Sequence, residues 1–204
     1  MSFWFWISVL GELIIFPIYI WSLEHVKLQD RFGKERGIKI GDTLGLISGW
    51  GFFLFLFGIW ISPQPRFTIP IFSDLKLKIP IIDFTIPLIH VLIFIPSIII
   101  VLWFALMGVK EVTLKVAETH RPEKVVITGV YSLIRHPQYL GALLAHLSIS
   151  VLFSALYSLV FTPLLFIYIL FIAWKEEIEL VKEFGKEYEE YKTKVPMLIP
   201  KLRF

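Results

Sequence analysis

Residues 138–174 read QYLGALLAHLSISVLFSALYSLVFTPLLFIYILFIAW, a run of 37 residues without one Asp, Glu, Lys or Arg. As a single helix this run would reach about 55 Å. A bilayer's hydrocarbon core is only about 30 Å thick, which about 20 apolar helical residues cross. Two spans of about 17 residues joined by a tight turn fit the length better. The turn is expected near residues 154–158, although no Gly or Pro marks it.

Three further charge-poor segments lie upstream. Residues 1–23 carry one charged side chain, Glu12; residues 43–62 carry none; residues 84–109 carry none besides the titratable His90. Each is one span long, so the expected architecture is an all-α integral membrane protein with five transmembrane helices, the last two forming a hairpin. The composition agrees, with 56% hydrophobic and only 18% charged residues, and with 19 Phe and 7 Trp, types common at lipid and headgroup depth. The absence of Cys excludes disulfides, thiolate metal sites and cysteine nucleophiles. A net charge of +3 is not a nucleic-acid footprint, and no spacing of ionisable groups suggests a metal site.

The basic residues test the span count. Lys and Arg accumulate in short cytoplasmic loops. Five spans place 17 of the 20 basic residues on one side and three, in the loop 63–83, on the other. The N-terminus is then outside and the C-terminus cytoplasmic. Four spans would strand the last seven basic residues, from Lys175 onward, on the wrong side. Residues 1–23 lack a basic start and a small-residue cleavage site, so they read as a retained span and not as a signal peptide.

The second span opens with Gly41, Gly45 and Gly49, four apart, then Gly51. That spacing reads foremost as a close helix-packing face, with room for a ligand as the alternative. Pro63, Pro65, Pro70 and Pro80 punctuate the outer loop, and Leu75, Leu77 and Ile79 alternate with Lys76 and Lys78, as in one strand of a short hairpin. Pro87 and Pro96 should restrict or kink the third span. Residues 175–194 have helical periodicity. Leu180, Val181, Phe184, Tyr188 and Tyr191 form an apolar stripe, expected on a C-terminal amphipathic cytoplasmic helix. Glu177 falls in the middle of this stripe and Glu176 at its edge, whereas Glu179, Lys182 and Glu189 point away. A carboxylate centred on an apolar stripe requires a partner, a shifted pKa or a ligand.

Ahead of the long run the chain reads GVYSLIRHPQYLG from Gly129 to Gly141. Pro137 suits the first turn of a helix. Arg135 and His136 then stand at a helix N-terminus, where free amides, helix dipole and guanidinium together favour an anionic group. The transmembrane hairpin returns Glu176 and Glu177 to the same membrane face. A basic helix start and an acidic pair flank one site, which suits a zwitterionic ligand. Glu177 and Arg135 are the candidates for catalytic roles.

The G-x-Y-x-x-x-R-H-P-x-Y-x-G run, followed by Glu176-Glu177, Leu180, Phe184-Gly185, Tyr188, Tyr191 and Val195-Pro196, resembles the isoprenylcysteine carboxyl methyltransferase family. Phospholipid N-methyltransferases share much of this C-terminal pattern. The resemblance covers roughly residues 125–200 and implies S-adenosylmethionine as cofactor, with S-adenosylhomocysteine as product. It implies a module, 111–204, in which the C-terminal helix covers the cofactor, preceded by three helices in 1–110. By the same resemblance His136, Pro137, Tyr139 and Gly141 line the cofactor site, Gly129, Val130 and Tyr131 form its approach, and Glu176 and Glu177 complete it. A lipophilic substrate would enter from the lipid bilayer. Methyl transfer from a sulfonium requires alignment and a dry site. A carboxylate acceptor needs no general base, whereas an ammonium acceptor must first lose a proton. One departure stands out. Many members carry an Arg about one turn before the glutamate pair, but here that turn reads Phe171-Ile172-Ala173-Trp174, with Lys175 the nearest base. Lys attracts anions without the bidentate fork of Arg.

Three ionisable groups are candidates for a substrate tunnel: His146, which shares a helix face with Tyr139, Glu12 within the first span, and Lys175. Two of them also have a plain structural reading: His146 as a satisfied interhelical histidine and Glu12 as a protonated carboxyl bonded to Ser8 or a neighbouring helix. His90 reads as interfacial. The closest rival among enzymes is a phospholipid (ethanolamine-type) N-methyltransferase, and two other classes compete with a methyltransferase. One is a nicotinamide-dependent reductase, disfavoured by the small span count. The other is a non-enzymatic membrane scaffold.

Overall fold

The computed structural model describes residues 2–80, 83–112, 116 and 122–200. Met1, and Lys115, Arg121, Lys201 and Arg203 of the charge count, lie outside the described residues. Among the described residues seven α-helices run in the order α1 (Phe3–Leu23), α2 (His25–Phe32), α3 (Lys34–Ile61), α4 (Leu88–Val112), α5 (Pro137–Leu152), α6 (Leu156–Phe184) and α7 (Lys186–Lys194). The departures from all-α among the described residues are an isolated antiparallel bridge between Arg66 and Ala155 and the outer hairpin, in which β1 (Lys76–Ile79) pairs antiparallel with β2 (Phe84–Pro87) and Leu77 faces Ile86. Pro87 ends β2 instead of kinking the third span; Pro96 lies inside α4.

Four helices, α1, α3, α4 and α6, are long and apolar enough to cross a membrane, and α5 is a shorter apolar helix of 16 residues. Only 11% of the most apolar window of α4 is buried against protein. Soluble proteins do not expose contiguous apolar surface on that scale, so the outward faces of these helices are solvated by lipid. The boundary expected between residues 110 and 111 falls inside the last turn of α4, which packs along α5.

The fold is built from two helix pairs, α1 with α3 and α4 with α5, bridged by α6. The first pair is close because glycines meet side chains. A Cβ on Gly11 would lie 2.2 Å from the Phe55 ring, one on Gly51 2.6 Å from Ile15, and one on Gly58 2.3 Å from Ser8 Oγ. The expected packing stripe is therefore displaced: Gly51 serves contact with α1, whereas Gly45 and Gly49 turn toward a cavity. The central core gathers Phe5, Ile15, Phe52, Leu56, Ile59, Leu165 and Ile169 from α1, α3 and α6.

The hairpin turn between α5 and α6 spans Phe153 to Ala155, slightly ahead of the expected position. Ser154 sits at φ 54°, a left-handed conformation that costs an L-residue unless other contacts hold it. Those contacts come from the outer loop. Phe67 N–H donates to Ser154 O (3.2 Å), Leu156 N–H donates to Pro65 O (3.2 Å), and the Arg66 guanidinium donates to Phe153 O. His90, wholly buried, accepts from Ile69 N–H through Nε2 (3.2 Å) and contacts Ser154 Oγ through Nδ1 (2.9 Å). Thus His90 braces the turn from the outer end of α4. His90→Ala removes two buried hydrogen bonds and should lower stability by about 1–3 kcal/mol. Thermal unfolding in detergent measures this, and an unchanged midpoint would refute the bracing role.

Candidate functional site

Residues 129–141 fold as a 3-10 turn (Gly129–Ser132), a short connector and the start of α5, with Pro137 in its first turn. Gly129 occupies φ 55°, and a Cβ there would lie 2.3 Å from the Glu111 carboxylate, so both conformation and space require glycine. The connector is pinned from the far end of the chain. Arg135 N–H donates to Pro196 O (2.9 Å) and His136 N–H to Met197 O (3.0 Å).

Side chains then converge across 40 residues of sequence. Glu177, 2% exposed, lies three residues beyond the charge-free run that ends at Trp174. Its Oε1 accepts from Arg135 Nε at 2.6 Å and stands 3.2 Å from His136 Nε2; its Oε2 is 3.3 Å from Lys192 Nζ. Glu176 Oε2 accepts from the Tyr139 hydroxyl at 2.7 Å and lies 3.5 Å from His136 Nδ1. The His136 and Tyr139 rings stack with centroids 5.2 Å apart. The charges set the protonation states. Burial alone would push the His136 pKa down, but hydrogen bonds and charge from Glu176 and Glu177 outweigh it and raise the pKa above its ordinary 6.5. Burial alone would raise that of Glu177, but His136 and Arg135 hold it well below the usual carboxylate range. The expectation for an acid on an apolar stripe is thus met by partners and a shifted pKa together.

Arg135 lines a polar groove and has a second task besides. Beyond Glu177 it donates to the carbonyls of Lys192 and Val195, closing the C-terminal end of α7. It is a staple between connector, acid and C-terminal segment. Gly185, at φ 57°, breaks the expected continuous helix into α6 and α7. The break lets Leu180, Tyr188, Tyr191 and Val195 fold back into one cluster, and the Tyr191 hydroxyl donates to Tyr131 O at 2.6 Å. Glu179, expected to point away, is buried beside Lys182 (2.7 Å).

Two cavities adjoin this network. The first is a polar groove of about 590 Å³, mouth included, walled by Tyr131, Arg135, His136, Tyr139, Glu176 and the aromatic cluster of Phe184, Tyr188 and Tyr191. The second, about 1240 Å³ with its mouth, is apolar and lies between the two helix pairs. Its wall includes Gly45, Gly49, Trp50 and Phe53 of α3, Val101 and Ala105 of α4, and Gly141 of α5. Trp50 and Phe53 are also exposed outward, so this cavity opens on the lipid-facing side between α3 and α4. Gln138 and Tyr139 line both cavities.

The structure thus brings Tyr131, Arg135, His136, Pro137, Tyr139 and Glu176 around the polar groove, with Glu177 bonded behind them. Gly129 and Val130 shape the approach without lining it, and Gly141 faces the apolar cavity. The three tunnel candidates line neither cavity. His146 accepts from Trp60 Nε1–H through Nδ1 (3.1 Å) and contacts Ser158 O through Nε2 (3.0 Å), tying α3, α5 and α6 together. Lys175 pairs with Glu24 (3.1 Å) and Glu179 (3.7 Å) at the α1–α2 junction, drawn away from the cavities by two acids. Glu12 is buried in α1, and its oxygens have no hydrogen-bond partner, Ser8 included, among the described residues. Sequence reading missed Gln138 and Lys192, which no periodic pattern marks. It also missed Tyr19, whose place in the cavity wall depends on tertiary packing. No group of three or more potential ligands for a metal ion occurs among the described residues.

Comparison with known families matches residues 87–187, from the end of β2 through α6, to the phospholipid methyltransferase profile. Residues 87–187 belong to the phospholipid methyltransferase family. The family segment holds the 129–141 turn and the acidic pair, but not α1–α3 or most of α7. Among similar proteins is a methanethiol S-methyltransferase of Crocosphaera subtropica, 38% identical over 98 residues, which are 48% of this chain and 38% of that protein. Another is a protein-S-isoprenylcysteine O-methyltransferase of Schizosaccharomyces pombe, 34% identical over 87 residues, 42% of this chain and 37% of the relative. The matches therefore span less than two fifths of these relatives' lengths. No solved structure matches at the same stringency.

Proposed function

We propose that the chain is an integral membrane S-adenosylmethionine-dependent methyltransferase that takes a lipophilic or amphipathic acceptor from the bilayer, in the manner of a protein-S-isoprenylcysteine O-methyltransferase. The observation that carries this reading is the meeting of a polar, charge-lined groove with an apolar, lipid-open cavity at Gln138 and Tyr139. A methyl donor and an acceptor of opposite polarity can approach one another there from two sides.

The groove's donor set fits the cofactor. The α5 start, His136 and Lys124 suit a carboxylate, Glu176 suits an ammonium or ribose hydroxyls, and Tyr131, Phe184, Tyr188 and Tyr191 suit an adenine ring. Bound there, S-adenosylmethionine would supply an electrophilic methyl group for in-line transfer to the acceptor's lone pair. The chain's own residues do the positioning. Glu177, fixed by Arg135, His136 and Lys192, orients the imidazole, and Glu176 fixes the Tyr139 ring at the junction. The aromatic cluster and the folded-back C-terminal segment exclude water from the groove.

In this reading five spans cross the bilayer, with the N-terminus outside and the groove, α7 and C-terminus cytoplasmic, as the 17-to-3 division of basic residues supports. The test is cofactor binding by the purified chain. S-adenosylhomocysteine should raise its melting temperature and NADPH should not; no shift at saturating S-adenosylhomocysteine would sink the proposal.

A further inference from the structure

We propose that the Tyr139 hydroxyl carries the acceptor's proton to Glu176, and that Tyr19, on a helix outside the family segment, sets the direction of this relay. The inference rests on the methyltransferase reading. It adds the fate of the proton for an acceptor, such as a thiol or an alkylammonium, whose reacting atom still carries one.

Tyr139 lines both cavities, and its polar atom is held between them. The hydroxyl donates to Glu176 Oε2 at 2.7 Å, and Glu176 belongs to the wall of the polar groove and not of the apolar cavity. The same hydroxyl is hydrogen-bonded to Tyr19, which belongs to the wall of the apolar cavity and not of the groove. One oxygen thus bridges a group of each space, at the place where donor and acceptor are to meet.

The hydrogens have a fixed order. A phenol has one hydrogen and an ionised carboxylate has none. The Tyr139 hydrogen lies on Glu176, so in the bond between the two phenols Tyr19 is the donor. Tyr19 to Tyr139 to Glu176 is therefore one directed row, drawn from α1, α5 and α6. Tyr19 is 6% exposed and packs with Leu23 and Ile172, which offer its hydroxyl no polar alternative. His136 Nδ1, 3.5 Å from the same Glu176 oxygen, favours the ionised carboxylate that a relay requires. The second lone pair of the Tyr139 oxygen is left for the acceptor's proton.

The step balances without a phenolate. The electron pair of the acceptor's bond to hydrogen stays on the acceptor atom, which forms the bond to the methyl carbon, and the pair of the broken carbon–sulfur bond stays on sulfur. The proton passes to the Tyr139 oxygen as the hydrogen already there passes to Glu176 Oε2. Glu176 ends neutral and Tyr139 unchanged. Tyr139 is then a catalytic residue and Tyr19 a positioning residue. An ionised carboxylate acceptor has no proton to give and leaves the relay idle.

The experiment measures methyl transfer by the full chain in detergent at saturating S-adenosylmethionine. Decanethiol and decylamine carry a proton at the reacting atom; 4-nitrothiophenol and N-acetyl-S-farnesylcysteine arrive ionised. With a proton-bearing acceptor, Tyr139→Phe should lower kcat about a hundredfold, the lower end of what general bases contribute. The loss with an ionised acceptor should be at least tenfold smaller. Glu176→Gln, which keeps an oxygen for the Tyr139 hydrogen but takes up no proton, should show the same contrast. Tyr19→Phe keeps the packing and should lower kcat for the proton-bearing acceptor about tenfold, with its KM and the affinity for S-adenosylhomocysteine within threefold. Equal losses for the two kinds of acceptor in Tyr139→Phe would overturn the proposal, as would an unchanged kcat in Tyr19→Phe. It would fall too if wild type methylates only ionised acceptors. Failure of wild type to bind S-adenosylhomocysteine would instead remove the methyltransferase reading beneath it.

Discussion

Glu177→Ala should abolish S-adenosylhomocysteine binding and reduce methyl transfer by at least about a hundredfold, the scale that misplacing reacting groups by an ångström produces. The reason is that one carboxylate organises three cations. Its oxygens lie 2.6 Å from Arg135, 3.2 Å from His136 and 3.3 Å from Lys192. Without it the buried Arg135 guanidinium is left uncompensated and loses its anchor between the connector and α7, and His136 keeps only Glu176. Removing one partner of a buried ion pair typically costs about 3–5 kcal/mol. The variant should therefore also unfold earlier, in thermal melts without ligand. Glu177→Gln keeps the shape and an acceptor oxygen and should lose less stability while still binding poorly. Normal cofactor affinity in folded Glu177→Ala would contradict the assignment.

The same cluster gives a pH window. The His136 pKa is raised, so its contribution is complete below the unfolded value of about 6.5 and fades as pH rises through the higher folded value. That of Glu177 is lowered, so its contribution is complete above the unfolded value of about 4.5 and fades only in stronger acid. Stability of the cluster should thus hold level from about pH 5 to above 6.5 and weaken on the alkaline side.

Gly49→Phe should raise KM for a long-chain acceptor more than tenfold while leaving S-adenosylhomocysteine binding unchanged. A Cβ at Gly49 would meet nothing within 4 Å, and the position lines the apolar cavity. A phenyl ring there occupies the space that the reading assigns to the acceptor's chain, and even one methylene of misfit in an apolar pocket is worth about 1–3 kcal/mol. Short thiols should be affected little, because the obstruction lies on α3 and not at Gln138. Gly49→Ala is the control: it should leave kinetics alone and stabilise α3 by up to about 1 kcal/mol. Equal KM values for wild type and Gly49→Phe with a long-chain acceptor would show that the cavity is not the acceptor's route.

These expectations divide between what local sequence reveals and what it does not. The charge-free runs, the basic loops and the Gly129–Gly141 motif were legible because lipid, water and helix termini each leave a mark on neighbouring residues. The same holds for the acidic pair: helical periodicity alone places Glu177 on a buried face. What the pattern could not show was partnership. Arg135 reads as an anion site at a helix start, yet it closes the end of α7 and fixes Glu177. Lys175 reads as a stand-in for a substrate-binding Arg, yet Glu24 at the α1–α2 junction and Glu179 on α6 hold it elsewhere. His146 shares a face with Tyr139, yet Trp60 and Ser158 satisfy both its nitrogens.

By itself the sequence determined a membrane-embedded helical protein with a polar site at one end of a helical hairpin, because hydrophobic length and charge position are properties of consecutive residues. The tertiary structure decided the rest. The turn at Ser154 has no local signal; it stands because His90 and the outer loop, 64 and 87 residues away, hold it. Gly49 became cavity wall and Gly51 helix contact through the packing of α1 on α3. The length of the 37-residue charge-free run requires a hairpin, and distant groups decide how it closes.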